Sequence, residues 1–200
     1  MLPVCAAAIL SFVSDDAPRP DELVPQGGTW SGLVFENPGI GLERALTWAF
    51  EFEFAEIERD YGDTSPGLSV AWVPLPGASW SAMQGQEATG DEFGEPIECS
   101  AYFFEHHRYD RVRLRVLEQQ DARVRVAVSA EGDIDGLGVP RWDVEQWLDF
   151  RGIATDVSSD VRTVEDAEAM LAGFTDVDGL RCRGSSGEFR FRVPHPHERD

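Results

Sequence analysis

The chain has 200 residues, of which 42% are hydrophobic, and it carries 37 acidic side chains against 17 basic ones, a formal net charge of −20. This composition is apolar and aromatic enough to build a core, which excludes a globally disordered chain. So large a negative charge disfavours binding to nucleic acid or to anionic membranes and favours a basic protein as partner.

The N-terminal segment Met1–Val13 is apolar, but it lacks the basic start and the small-residue cleavage site of a secretory signal. It is also too short to span a bilayer. We therefore expect a core element here, with secretion as the alternative. The three cysteines are odd in number and far apart, at Cys5, Cys99 and Cys182, which is typical of a reducing compartment. The sequence thus predicts a cytoplasmic protein.

Period-two alternation predicts strands in the first half of the chain. The clearest pattern covers Leu46–Glu58, where one face is aromatic and the other is largely acidic. Shorter strands are predicted at Thr29–Glu36 and Leu68–Val73. Residues 84–97 are polar and acidic, and we expect them to form a long loop. The aromatic face of the clearest strand consists of Trp48, Phe50, Phe52 and Phe54.

Three further strands are predicted as a meander over Cys99–His107, Arg111–Leu117 and Arg123–Ala130. On a single extended strand, Cys99 and His107 would be separated by roughly 26 Å, which excludes a Cys–His catalytic pair within it. The sequence also contains no nucleophile elbow and no phosphate-binding glycine loop.

The second and third meander strands carry an arginine stripe. We expect a three-residue turn between them that places Arg115 opposite Arg125 and Val116 opposite Val124. Facing arginines need carboxylates between them, so internal ion pairing is favoured over a nucleic-acid surface, with Glu51 and Glu53 as the expected source of the carboxylates. The stripe consists of Arg108, Arg111, Arg113, Arg115, Arg123 and Arg125.

Helix signals concentrate in the last third. Asp143 and Gln146 form a capping-box pattern that predicts a helix ending at Gly152, and a strand over Trp147–Ala154 is the competing interpretation. The segment from Thr163, with Asp166 three residues later and Gly173 at the end, predicts a second helix. A final strand over Glu188–Val193 and a frayed tail at 195–200 complete the chain.

Runs of strands followed by helices indicate the α+β class. We therefore predict a single α+β domain over residues 1–200. Its centre is a mostly antiparallel twisted sheet of about six to eight strands, and two helices lie in the C-terminal third.

Metal and calcium patterns are incomplete. The histidines form two close pairs, His106–His107 and His195–His197, with no third ligand at a recognisable spacing. Glu131, Asp133 and Asp135 match only half of an EF-hand loop and are better explained as turn residues. The sequence therefore predicts no catalytic residue, no metal ion and no cofactor, and it favours a protein that is not an enzyme.

The charge pattern indicates a surface for a basic protein partner, in which acids steer the encounter and tryptophans anchor it. The candidate partner-binding residues are Glu131, Asp133, Asp135, Trp142 and Trp147. The function predicted from them is that of a non-catalytic acidic protein that neutralises a basic partner, such as a toxin, in the manner of an immunity protein or antitoxin. The alternatives are a small-ligand protein or enzyme whose pocket is lined by the aromatic strand, and a subunit of a larger assembly. The oligomeric state stays open.

Overall fold

The structure, a computed structural model, describes residues 17–156, 161–185 and 188–194. The predicted N-terminal core element Met1–Val13 lies outside the described residues, as does the tail 195–200 with two of the four histidines. Strands dominate the described part of the chain. Their bounds are β1 Pro25–Asn37, β2 Leu42–Phe54, β3 Ile57–Arg59, β4 Gly62–Thr64, β5 Gly67–Val73, β6 Glu87–Gly90, β7 Glu98–Phe103, β8 Glu105–Gln120, β9 Arg123–Asp133, β10 Arg141–Asp156, β11 Arg181–Ser185 and β12 Glu188–Arg192, with one helix, α1 Val164–Leu171.

Seven of these strands close into a barrel. They follow the order β1-β2-β5-β7-β8-β9-β10 with antiparallel neighbours, and β10 then pairs with β1 in parallel. Trp30 lies beside Phe150 and Val34 beside Thr155 in this closing pair. Closure removes the open edges of the barrel strands. The predicted α+β class, with an antiparallel sheet and two helices, is therefore wrong: the fold is a closed β-barrel, and its described residues contain one α-helix.

The first predicted helix is instead the 16-residue strand β10. Trp142, Val144 and Leu148 alternate with exposed charged residues and point into the barrel, which is a strand period. The capping-box pattern at Asp143 and Gln146 was misleading, because backbone pairing with β9 outweighs a local signal. The competing strand interpretation over Trp147–Ala154 is confirmed.

The second predicted helix is confirmed as α1. Thr163 caps it, since its hydroxyl accepts from the Asp166 N–H at 3.1 Å and the Asp166 carboxylate accepts from the Thr163 N–H at the same distance. Ala167 and Leu171 are buried against the barrel assembly. The final strand is also confirmed, as β12. It pairs with the second half of β10 and so places α1 and β11 beside one end of the barrel.

Two features of the meander differ from expectation. The chain reverses at Phe104, so that Cys99–His107 spans two strands and Tyr102 lies opposite His106. The β8–β9 turn pairs Gln120 with Arg123, and an extra residue in β8 shifts the register, which places Val116 opposite Val126. The predicted facing of Val116 with Val124 and of Arg115 with Arg125 is wrong.

Aromatic side chains fill the barrel interior. The ring centroids of Trp30 and Trp48 lie 5.5 Å apart, and those of Phe54 and Trp142 lie 5.3 Å apart. The aromatic face of β2 is confirmed, since its four rings are no more than 5% exposed. These rings belong to the buried hydrophobic core. The predicted acidic loop 84–97 contributes a short strand, β6, which pairs with β8. No helix in the described ranges is long and apolar enough to cross a membrane.

An ion-pair clasp fastens the start of the described chain to the β3–β4 hairpin. Glu22 accepts hydrogen bonds from both terminal nitrogens of Arg59, at 3.0 and 2.8 Å, and also from the backbone N–H of Arg19. These contacts lower the pKa of Glu22 from 4.5 to about 2. A carboxylate whose pKa falls on folding stabilises the native state above its ordinary pKa, and this stabilisation is lost as the pH falls toward 2.

We expect Glu22→Gln to lower the free energy of unfolding at pH 6 while leaving it nearly unchanged at pH 2. The gap between wild type and variant should close between about pH 4.5 and 2, the window of the pKa shift. Urea unfolding across this range measures it. Glu56→Gln is the control, because this exposed carboxylate has no ion pair within the described ranges. A difference in the free energy of unfolding between wild type and Glu22→Gln that stays constant from pH 6 to pH 2 would contradict the expectation.

Candidate functional site

The candidate partner-binding residues do not form one surface. Glu131, Asp133 and Asp135 lie together where β9 ends, whereas Trp142 is 2% exposed inside the barrel and cannot contact a partner in this fold. Trp147 is partly exposed on the outer face and lies opposite Arg125. It is six residues along β10 from Arg141, the residue that pairs with Glu131. At about 3.3 Å per residue, that step corresponds to roughly 20 Å.

The three carboxylates of this group already have partners inside the molecule. Asp135 accepts from the guanidinium of Arg108 at 2.6 Å, a contact that holds the pKa of Asp135 well below its usual range. Glu131 forms ion pairs with Arg111 and Arg141. Asp133 accepts the backbone N–H groups that follow it in the chain, at residues 136 and 138. The turn role expected for this acidic segment agrees with these bonds, and little free charge is left for a partner.

Trp142 instead belongs to a buried hydrogen-bond chain. Its indole N–H donates to the hydroxyl of Tyr109 at 2.6 Å, and that hydroxyl donates to the carbonyl of Val139 at 2.8 Å. The Tyr109 hydroxyl therefore satisfies two buried polar groups at once. Burial also raises the pKa of Tyr109 far above its usual value, so that the hydroxyl stays protonated as a donor.

We expect Tyr109→Phe to lower the free energy of unfolding by about 1 to 3 kcal/mol, because the indole N–H of Trp142 and the carbonyl of Val139 both lose a buried partner. Urea unfolding measures the loss. Tyr102→Phe is the matched control, since Tyr102 is 40% exposed. Equal stability of the two variants would show that the hydrogen-bond chain contributes nothing.

The arginine stripe is largely neutralised within the chain. Arg115 pairs with Glu87 on β6 and Arg123 with Asp149 on β10, at 2.8 and 2.9 Å. Arg125 contacts both Glu118 and Glu145. Internal pairing was expected, but its source was not: the carboxylates come from β6, β8, β9, the turn after β9 and β10. Glu51 and Glu53 on β2 are not among these partners. The carboxylates that do not pair with these arginines therefore account for the excess negative charge of the chain.

The described cysteines do not form a reactive site in this fold. Cys99 lies opposite Tyr109 and is fully buried, and this burial raises the pKa of its thiol to about 12. A thiol with so high a pKa is a poor nucleophile. Cys99 and Cys182 are both free thiols. Across the described ranges, no group of three His, Cys, Asp or Glu side chains is arranged to hold a metal ion.

An acidic cleft of about 1460 Å³ lies where α1, β11 and the β8–β9 turn meet. Asp121, Glu168 and Asp178 supply its carboxylates, and Arg181 is its basic residue. No ion pair within the described ranges engages those three carboxylates, so the cleft carries an excess of two negative charges. Its apolar walls come from Trp80, Ala122, Val177, Leu180, Val193 and Pro194.

The floor of the acidic cleft is held by the side chain of Gln119. Its amide nitrogen donates to the carbonyls of Trp80 and Asp121, at 3.0 and 2.9 Å, and its amide oxygen accepts the N–H of Met83 at 2.6 Å. Trp80 is also tied to the segment after α1, because its backbone N–H donates to the hydroxyl of Thr175 at 3.3 Å. The segments that form the cleft are thus cross-linked by side-chain hydrogen bonds.

Trp80 is the largest side chain in the apolar wall of the acidic cleft. Its ring stacks on Phe150 at 5.6 Å with planes 11° apart and is 8% exposed. Its indole N–H is buried and has no hydrogen-bond partner among the described residues. Buried polar groups in native proteins are usually paired. The acidic cleft therefore combines an apolar wall with carboxylates that no ion pair in the described part of the chain engages.

Sequence reasoning missed the acidic cleft because its carboxylates come from three separate segments. No sequence spacing connects Glu168 or Asp178 to Asp121 on the β8–β9 turn. The pairing of β12 with β10, and of β11 with β12, brings these segments together. No protein-family model, no curated protein and no solved structure matches this chain.

Proposed function

We propose that the chain is a non-catalytic binding protein that neutralises a basic protein partner, in the manner of an immunity protein or antitoxin, and that the partner binds in the acidic cleft. The observation that carries the proposal is the cleft itself, in which three carboxylates that no ion pair within the described ranges engages lie beside an apolar wall. A basic side chain can pair with Asp121, Glu168 or Asp178 while its neighbours cover Val177 and Leu180.

Charge supports this choice of partner. The chain carries −20 overall, and the arginines of the stripe are mostly paired internally, so the excess carboxylates generate a field that attracts cationic proteins. The same field repels nucleic acid and anionic lipid. We place the protein in the cytoplasm as part of the proposal, because its two described cysteines are free thiols.

The test starts from a native-host lysate passed over the immobilised protein at low and high salt. We expect a basic protein that elutes as salt rises, since charge-steered complexes weaken with screening. Capture alone does not suffice, so the partner is then purified and its affinity measured by calorimetry. A partner that is acidic, or one whose affinity does not change between low and high salt, would overturn the proposal.

A further inference from the structure

The hairpin of β11 and β12 carries four arginines on one of its two faces. Arg181 lies opposite Arg192, and Arg183 lies opposite Arg190. Residues directly opposite each other in an antiparallel pair share a face, and so do alternate residues of one strand. The other face is buried, since Phe191 on it is only 2% exposed. The four arginines therefore lie on the outer face of the hairpin, which we call the basic face.

Two arginines of the basic face, Arg181 and Arg192, have no acidic partner in the described part of the chain. Both residues are exposed. Arg190, by contrast, forms an ion pair with Glu188 at 2.8 Å. On β10, the neighbour of Arg192 is Gly152, which has no side chain that could compensate the charge. The basic face thus presents two accessible guanidinium groups that are positioned opposite each other and are not neutralised there.

This arrangement differs from that of the arginines on the barrel. Like charges directly opposite each other on a sheet destabilise it. On the barrel such repulsion is avoided, because Arg115 lies opposite Glu87 and pairs with it, and Arg125 contacts two carboxylates. The chain has 37 acidic residues, so a shortage of carboxylates does not explain the exposed pair. A ligand with two negative charges would remove the repulsion between Arg181 and Arg192.

The chemistry of two guanidinium groups selects the kind of anion. Each guanidinium presents a planar fork of N–H donors that matches the oxygens of a phosphoryl group. A carboxylate carries one charge and is satisfied by one fork, whereas a phosphate monoester carries nearly two charges and three acceptor oxygens at neutral pH. The acidic cleft, which Arg181 also lines, repels a longer polyanion such as nucleic acid. A single phosphoryl group is compact enough to contact the arginines alone.

We propose that the basic face binds the phosphoryl group of a phosphorylated serine or threonine on another protein, through Arg181 and Arg192. Each guanidinium donates hydrogen bonds to the phosphoryl oxygens. The two aromatic rings of the hairpin, Phe189 and Phe191, are on its buried face, so the hairpin offers no ring on which a nucleobase could stack. An open face of this kind fits a phosphorylated side chain better than a nucleotide. The site does not require the basic partner of the proposed function.

NMR titration at low salt with blocked phosphoserine tests the ligand. We expect saturable shifts of the amide resonances of β11 and β12, and no saturable shift with blocked serine. Lowering the pH from about 7.5 to about 5.5 should weaken phosphoserine about fourfold, because its second pKa is about 6 and the dianion becomes a monoanion. Sulfate, which stays a dianion, should keep its affinity. The absence of a saturable shift with phosphoserine, or tighter binding of AMP than of phosphoserine, would overturn the proposal.

Matched variants locate the site. Arg181→Gln and Arg192→Gln should each weaken phosphoserine about tenfold, since each removes one charge-assisted fork. Arg113→Gln is the control, because Arg113 is an exposed arginine on β8 without an ion pair in the described ranges, and its loss changes the net charge equally. Equal affinities in Arg181→Gln and Arg113→Gln would overturn the site.

Melting temperatures supply a second readout on the same variants. Arg181→Gln and Arg192→Gln should not lower the melting temperature, because each removes one of two like charges that lie opposite each other. Phosphoserine should raise the melting temperature of the wild type, since it binds the native state. A clear fall in the melting temperature of both variants would show that the two arginines already have carboxylate partners within the molecule, and this too would overturn the proposal.

Discussion

Gly152→Ala should lower the free energy of unfolding by about 3 to 5 kcal/mol, one of the largest effects that we expect from any single substitution in this chain. Gly152 has φ +105°, and a Cβ atom built there lies 2.3 Å from the carbonyl oxygen of Phe191. That oxygen belongs to β12, and Phe191 pairs with β10 at Ile153, the residue after Gly152. The backbone of one strand must therefore move away from the other, and the pairing between them is lost.

A second glycine separates the conformational cost from the clash. Gly77 has φ +74°, but a Cβ atom there meets nothing within 4 Å. Gly77→Ala should therefore cost only about 1 kcal/mol, the penalty of a left-handed alanine. Urea unfolding of the two variants measures the difference. Equal losses would show that the close approach of β12 to Gly152 contributes nothing beyond backbone conformation.

The sequence predicted elements well wherever their signal was local. The alternation in β2 identified its buried aromatic face, and the pairing of Thr163 with Asp166 identified the start of α1. Both signals lie within a few neighbouring residues. The Asp143–Gln146 pattern was equally local, but it lies in a segment whose conformation is decided by pairing with β9. A capping pattern therefore predicts a helix only where no strand competes for the same backbone.

The features that the sequence did not predict depend on distant parts of the chain. Closure of the barrel pairs Trp30 with Phe150, 120 positions later, and no local pattern records that contact. At the reversal, Phe104 adopts a left-handed conformation. Glycine or asparagine at this position would have indicated a turn in the sequence, but an aromatic residue does not. The same limit applies to the candidate site. The acidity of the chain was evident, but the sequence could not show which carboxylates are paired internally and which are free in the acidic cleft.

The triple variant Asp121→Asn, Glu168→Gln and Asp178→Asn should weaken binding of the basic partner about 30-fold or more at low salt. Each carboxylate is exposed, so each contributes a modest amount, and three together give an effect of this size. Most of the loss should appear as slower association, because exposed charges act mainly by steering the encounter. Surface plasmon resonance with the purified partner measures both rate constants.

A matched variant tests whether the position of the charges matters or only their number. Glu53→Gln, Glu56→Gln and Glu58→Gln also remove three exposed negative charges, on and just after β2, at positions that do not line the acidic cleft. Compared at the same salt concentration, this control should slow association less than the cleft variant does, and at about 0.1 M salt only about twofold, since charges are largely screened beyond roughly 10 Å there. The salt dependence of the affinity should flatten in the cleft variant and persist in the control. Equal losses in the two variants would mean that the partner responds to net charge alone, and the acidic cleft would then no longer be the binding site.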